Sequence, residues 1–261
     1  MSHITQAKRI VVKVGTSTLT YENGKPNLRR IEALCKVLSD LQNSGREVVL
    51  VTSGAIGVGM GKLGLRERPA ETERKQAVAA VGQCELMFIY DKFFDEYNQN
   101  VAQVLLSSDV LNNQATRKNV ENTFRELLEM GIIPVVNEND TVAVDELVGA
   151  KIGDNDTLSA VVAILTSADL LVILTDIDGL YDANPKASAD ARRIPYVAEI
   201  TPGGTAPAGG PIPRGTGGMF TKVSAAMANE RGSLLCNERR HARKSYRLFD
   251  GEQIGTIFGT K

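Results

Sequence analysis

Apolar residues along this chain fall into two alternating patterns, and the alternation predicts the architecture. Short apolar runs recur at Arg9-Ile10-Val11-Val12-Lys13-Val14, Glu47-Val48-Val49-Leu50-Val51, residues 101–106, Ile132-Ile133-Pro134-Val135-Val136 and Leu170-Leu171-Val172-Ile173-Leu174. Runs of this kind, without polar alternation, read as strands buried on both faces. Between them apolar positions return at helical spacing. Leu28, Ile31, Leu34, Val37, Leu38 and Leu41 mark a helix over 27–43 closed by Gly45, and further helices are predicted at about 73–97, 117–130 and 155–167. Strand and helix in alternation predict a three-layer αβα sandwich on a mainly parallel central sheet. Residues 175–215 read as poor in strands and divide the single domain into two halves.

Open parallel sheets bind ligands in the crevice beyond the carboxyl ends of their strands. Four polar loops occupy that place: Gly15-Thr16-Ser17, Thr52-Ser53-Gly54, Asn137-Glu138-Asn139-Asp140 and Thr175-Asp176. They are expected to meet around one site. A fifth segment, Gly215-Thr216-Gly217-Gly218-Met219-Phe220-Thr221-Lys222, has the chemistry of a phosphate cradle at a helix start. Its lysine is not at P-loop spacing. The Gly/Pro-rich stretch 202–217 beside it is expected to be a mobile loop over the site.

Within these loops, Lys13 ends a buried strand and faces Gly15, so with Lys222 it would flank a transferring phosphoryl group. Ser53 offers a hydroxyl at a helix start, where its plainest role is an N-cap. Asn137 to Asp140 have the composition of a turn, yet two amides and two carboxylates at a strand end also suit a substrate ammonium group. Gly153-Asp154-Asn155-Asp156 carries more polar side chains than a helix cap needs, and one of them is expected to orient the lysines without binding metal.

Composition narrows the chemistry further. In 261 residues the formal net charge is −1, which gives no basis for a nucleic-acid surface. No apolar run approaches the roughly 20 residues that span a bilayer, and residues 1–9 lack the apolar core of a secretion signal. Only His3 and His241 are present, and Cys35, Cys84 and Cys236 form no CxxC pair. A zinc site or a histidine-based triad is therefore not expected, and free thiols in a reducing cytosol are.

Lys13-Val14-Gly15-Thr16-Ser17, Val51-Thr52-Ser53-Gly54-Ala55-Ile56, Asn137-Glu138-Asn139-Asp140, Gly153-Asp154-Asn155-Asp156 and the segment from Gly215 to Lys222 together resemble the glutamate 5-kinases, a branch of the amino acid kinase family. The resemblance runs from about residue 8 to 228 and resumes at 246–258. It implies the amino acid kinase fold, cytoplasmic location and ATP-dependent phosphorylation of the γ-carboxylate of L-glutamate, the first step of proline biosynthesis. Lys13, Lys222 and Asp156 would be catalytic; Ser53, Gly54, Asn137, Asp140 and Asn155 would bind glutamate. Lys13, Gly15, Thr175, Asp176, Thr216, Gly217, Gly218, Met219, Phe220, Thr221 and Lys222 would hold the nucleotide. The substrate half would end near residue 175 and the nucleotide half would fill 176–261. Mg²⁺ would be held mainly through ATP phosphates, with no dedicated protein ligands. A dimer or tetramer and feedback inhibition by L-proline are also implied. The alternatives are a kinase of acetylglutamate or isopentenyl phosphate, and a nucleotide-binding regulatory protein without turnover.

Two departures from the family stand out. Longer bacterial members carry a C-terminal PUA domain, which is expected to be lacking here. Residues 231–245 replace an apolar strand and an Asn-Gly turn with a segment containing Arg239, Arg240, Arg243 and Lys244. Such a run reads as a solvated loop, since an interior strand would bear a large desolvation cost. Codons for Cys236 to Arg239 offset by one base can spell Ala-Met-Asn-Gly, so a local shift of reading frame is the expected origin, with a weakened sheet edge as its result. The Gly/Pro-rich stretch 203–214 is expected to share that cause.

Overall fold

The computed structural model describes residues 2–107, 109–142, 155–175, 179–182, 190–197, 233–238, 244–252 and 254–258. In chain order these form α1 (Ser2–Gln6), β1 (Arg9–Val14), α2 (Thr16–Leu19), α3 (Leu28–Asn43), β2 (Glu47–Val51), α4 (Ala55–Leu63), α5 (Thr72–Asp95) and β3 (Val101–Leu106). There follow α6 (Asp109–Asn112), α7 (Gln114–Glu129), β4 (Ile133–Glu138), α8 (Asn155–Leu165) and β5 (Leu170–Thr175). The last are β6 (Leu180–Tyr181), β7 (Arg193–Ile194), β8 (Tyr196–Val197), β9 (Ser233–Glu238), α9 (Lys244–Phe249) and β10 (Thr256–Phe258).

Eight of these strands join one sheet in the order β3-β4-β2-β1-β5-β9-β10-β8, parallel at every pairing except β9 with β10. Side chains alternate between the faces of each strand, and both faces are covered. On one side Ile10, Val12, Val14, Val48, Leu50, Leu170 and Val172 pack with α3 and α5 through Ile31, Leu38, Leu86, Tyr90 and Phe94. On the other, Val11, Val49, Val51, Val136, Leu171 and Ile173 meet Phe124 and Leu128 of α7 and Leu158 and Val162 of α8. The three layers follow directly from these continuous apolar strands. Each fully buried Val, Leu or Ile among them contributes about 1.5–3 kcal/mol.

Topology then fixes where a ligand can go. From β1 the chain moves to β2 on one side and later reaches β5 on the other. The carboxyl ends of β1 and β5 therefore border the crevice where the winding reverses. Two glycine contacts set α4 and α5 beside it. A methyl group on Gly82 of α5 would overlap the carbonyl oxygen of Ala55 on α4, and one on Gly59 would overlap that of Val78. The two helices thus pack backbone to backbone.

Several boundaries differ from the sequence expectation. β4 runs on to Glu138, because Asn137 and Glu138 pair with Leu105 and Leu106 of β3. α7 starts earlier, at Gln114, where the Asn113 side chain accepts from the N–H groups of Ala115 and Thr116 at 2.9 and 3.1 Å. Within 175–215 the described residues hold three strands of two residues each: β6 and β7 pair in a separate ribbon and β8 joins the main sheet. The largest difference lies in 231–245, where Ser233 to Glu238 form an interior strand between β5 and β10. Residues 233–237 carry no charge, so the strand is complete before the basic run begins. Of that run, Lys244 opens α9, while Arg239, Arg240 and Arg243 lie outside the described residues. The loop expected at 202–217 and the stretch 203–214 also lie outside them.

Candidate active site

Parity along β1 decides where Lys13 can point. It shares the face of Val11, which packs toward α7 and α8. α8 starts at the carboxyl end of the sheet, and the second residue of its first turn is Asp156. The Lys13 ammonium and the Asp156 carboxylate form an ion pair, with side chains 11% and 23% exposed. Close beside them, Gly15 precedes the one-turn helix α2 in extended backbone that any residue can adopt. A β-carbon there would sit 3.7 Å from the Lys13 nitrogen, in ordinary van der Waals contact.

The second loop approaches from β2. Gly54, at φ +95°, is the residue that caps α4, and it makes no side-chain cap bond. Only glycine adopts that conformation without strain, and a β-carbon would press on Thr16 at 3.2 Å. Ser53 is consequently not the N-cap. Its hydroxyl donates to the Val14 carbonyl at 3.1 Å, tying the β2 loop to the end of β1.

Beneath these loops runs a chain of uncharged groups. The Asn155 amide donates to the Thr52 carbonyl and, at 3.0 Å, to Asn137 Oδ1. Asn137 in turn donates to Gln83 Oε1 at 2.8 Å. The Thr52 hydroxyl shares a hydrogen bond of 2.8 Å with the Tyr90 phenol. Thr52, Asn137, Gln83 and Tyr90 are all buried. Burial pushes the Tyr90 phenol far above its ordinary range, so it is neutral at working pH.

The structure thus brings Lys13, Gly15, Ser53, Gly54, Asn137, Asn155 and Asp156 to one end of the sheet. Asp140 is half-buried in the turn following β4, whereas Asn137 lies within the strand and is buried. Thr175 closes β5 opposite Glu238. Asp176 and the segment Thr216 to Lys222 lie outside the described residues. Sequence reasoning missed Gln83 and Tyr90. Their one signal was polarity on the buried side of an otherwise apolar helical stretch, next to Gly82.

The sequence profile of the amino acid kinase family matches residues 8–234. The chain belongs to the amino acid kinase family. Among members, it is 55% identical to the glutamate 5-kinase of Clostridium perfringens over 98% of this chain and 96% of that protein. The glutamate 5-kinase of Listeria monocytogenes is 54% identical over 98% and 94% of the two chains. That of Ligilactobacillus salivarius is 52% identical over 99% and 98%. Solved structures with the amino acid kinase fold include UMP kinase from Bacillus anthracis, at TM-score 0.65 and 14% identity over 97% of this chain and 96% of that one. An isopentenyl phosphate kinase from T. acidophilum superposes at TM-score 0.64 and 17% identity over 95% and 99%. At such identities the likeness is one of fold alone.

Proposed function

We propose that this protein transfers the γ-phosphoryl group of ATP to the γ-carboxylate of L-glutamate, giving L-glutamyl 5-phosphate, the first step of proline biosynthesis. One observation carries the reading: identity of 52–55% to three glutamate 5-kinases along almost the whole chain. The site chemistry agrees. A carboxylate oxygen attacks the γ-phosphorus, the bond to the β–γ bridging oxygen breaks, and ADP leaves. A glutamate carboxyl has a reference pKa of about 4.3, so the nucleophile is already ionised and no general base is needed. No histidine stands among the described residues that meet at this end of the sheet, and the reaction needs none.

What the chain must supply is positive charge and position. Lys13 brings an ammonium group to the end of β1, and Asp156 holds it there. Gly15 sets no side chain against that ammonium. Lys222 completes the pair of lysines in this reading, with Thr216 to Thr221 around the phosphates and Thr175-Asp176 beside the nucleotide. Ser53, Gly54, Asn137, Asp140 and Asn155 hold glutamate, in a substrate half that ends near residue 175. Residues 176–261 form the nucleotide half. Mg²⁺ carried by the ATP phosphates supplies further charge neutralisation. A cytoplasmic dimer or tetramer inhibited by L-proline completes the proposal, on the strength of kinship.

The test is ADP release from ATP, Mg²⁺ and L-glutamate, with hydroxylamine trapping the acyl phosphate. A glutamate-dependent hydroxamate is expected, and neither acetylglutamate nor isopentenyl phosphate should replace glutamate. No hydroxamate, or preference for either of those acceptors, would overturn the reading.

A further inference from the structure

The chain of buried amides has a direction, and two main-chain groups fix it. The Glu138 N–H can only donate, so the Asn137 atom it meets at 2.9 Å is Oδ1. The Thr52 carbonyl can only accept, so the Asn155 atom upon it is Nδ2. Asn155 Nδ2 gives its other hydrogen to Asn137 Oδ1 at 3.0 Å. Asn137 Nδ2, in a residue 2% exposed, then requires an acceptor. Gln83 Oε1 supplies it at 2.8 Å. Gln83 must therefore turn its oxygen toward Asn137, and its Nε2 is buried with no partner among the described residues.

Packing alone does not call for a glutamine here, since Met or Leu fills similar space without leaving a buried donor idle. We infer that Gln83 is a positioning residue for substrate recognition. By accepting from Asn137 it keeps that amide from rotating, and Asn137 in turn keeps Asn155 in place. Asn155 spends both amide hydrogens on the protein, so its remaining capacity is the acceptor Oδ1. An acceptor suits a donor such as the substrate ammonium group and disfavours a carboxylate. The polarity of the ligand accepted at Asn155 is thus set from a helix 54 residues away from Asn137 in sequence.

This inference rests on the reading that Asn137 and Asn155 bind glutamate, and steady-state kinetics on the full chain separate the two. Gln83→Met is expected to raise the KM for glutamate about tenfold or more, while the KM for ATP stays within about twofold. Gln83→Glu retains an oxygen for Asn137 and should bring the glutamate KM back to within about threefold of the parent. A purely structural role predicts the reverse order, because an apolar Met is better tolerated at a buried position than a carboxyl. Gln83→Asn, one methylene short of Asn137, provides the same test in a variant that keeps an amide if the Met variant does not fold. Asn155→Ala is the control. An unchanged glutamate KM in Gln83→Met, or equal damage in the Met and Glu variants, overturns the relay if Asn155→Ala raises that KM. An unchanged KM in Asn155→Ala overturns the underlying site reading instead.

Discussion

One end of the crevice is built from charge and the other from neutral amides, and adjacent residues of α8 serve the two. Asp156 pairs with Lys13, where both side chains retain some exposure. Asn155 turns to Thr52 and Asn137, which are almost wholly buried. The contrast is physical before it is functional. A fully buried ion pair loses much of its Coulomb gain to desolvation, whereas neutral amides can be buried at little cost once bonded. In the proposed mechanism, the groups that answer a moving negative charge therefore sit near water. Groups that only need to define a shape and a polarity sit beneath it.

The strongest way to break this division is to remove the charge. Lys13→Met is expected to lower kcat by about 10²–10⁴-fold with a smaller change in the KM for ATP, read from hydroxamate formation. Lys222→Ala should act in the same direction. A kcat within threefold of the parent would end the proposed role of either lysine. Next in size is Gly82→Ala, which drives a methyl group into the Ala55 carbonyl at the amide end. A loss of about 3 kcal/mol in stability is expected, seen as a lower Tm, with any surviving activity showing a raised KM for glutamate. A Tm equal to the parent's would show that α4 and α5 part easily.

Asp156→Asn keeps the shape at the charged end and removes its negative partner. We expect a fall in kcat of about 10- to 100-fold with little change in Tm, and equal losses in kcat and stability would mean that the pair is structural. Tyr90→Phe removes only the bond to the Thr52 hydroxyl. It should cost about 1 kcal/mol in denaturant unfolding and leave both KM values within about twofold. The smallest effect is a labelling one. Burial pushes the Cys35 thiol well above its ordinary range, whereas Cys84 is exposed. Iodoacetamide at pH 8 should modify Cys84 and spare Cys35 in the native protein. In Gly82→Ala, labelling of Cys35 would report loosening of the α3–α5 layer.

Much of the charged end was legible in the sequence. Lys13 stands in a buried strand before a glycine, and Asp156 stands at a helix start, so strand parity and topology suffice to bring them together. The first five strands were legible too, because continuous apolar runs admit few other readings. The amide end was not. Asn137 looks like a turn residue until its pairing with Leu105 draws it into β4. Gln83 and Tyr90 gain their meaning from partners far away in sequence, and helical spacing says which face they occupy but not what they touch. The short strands β6, β7 and β8 have only two residues each, too few to show a period. At β9 the basic residues that follow the strand obscured the segment that forms it, whose first five residues are uncharged.

Gly82 and Gln83 are neighbours on α5, and this has a consequence for anyone wishing to test the proposed amide relay by selection. The glycine lets α5 lie against the Ala55 carbonyl, and the residue next to it accepts from Asn137. Libraries that randomise Gln83, Asn137 and Asn155 together, while holding Gly82 constant, would search polarity without disturbing aim. A library that opens Gly82 as well would mostly sample proteins in which α4 and α5 have been forced apart.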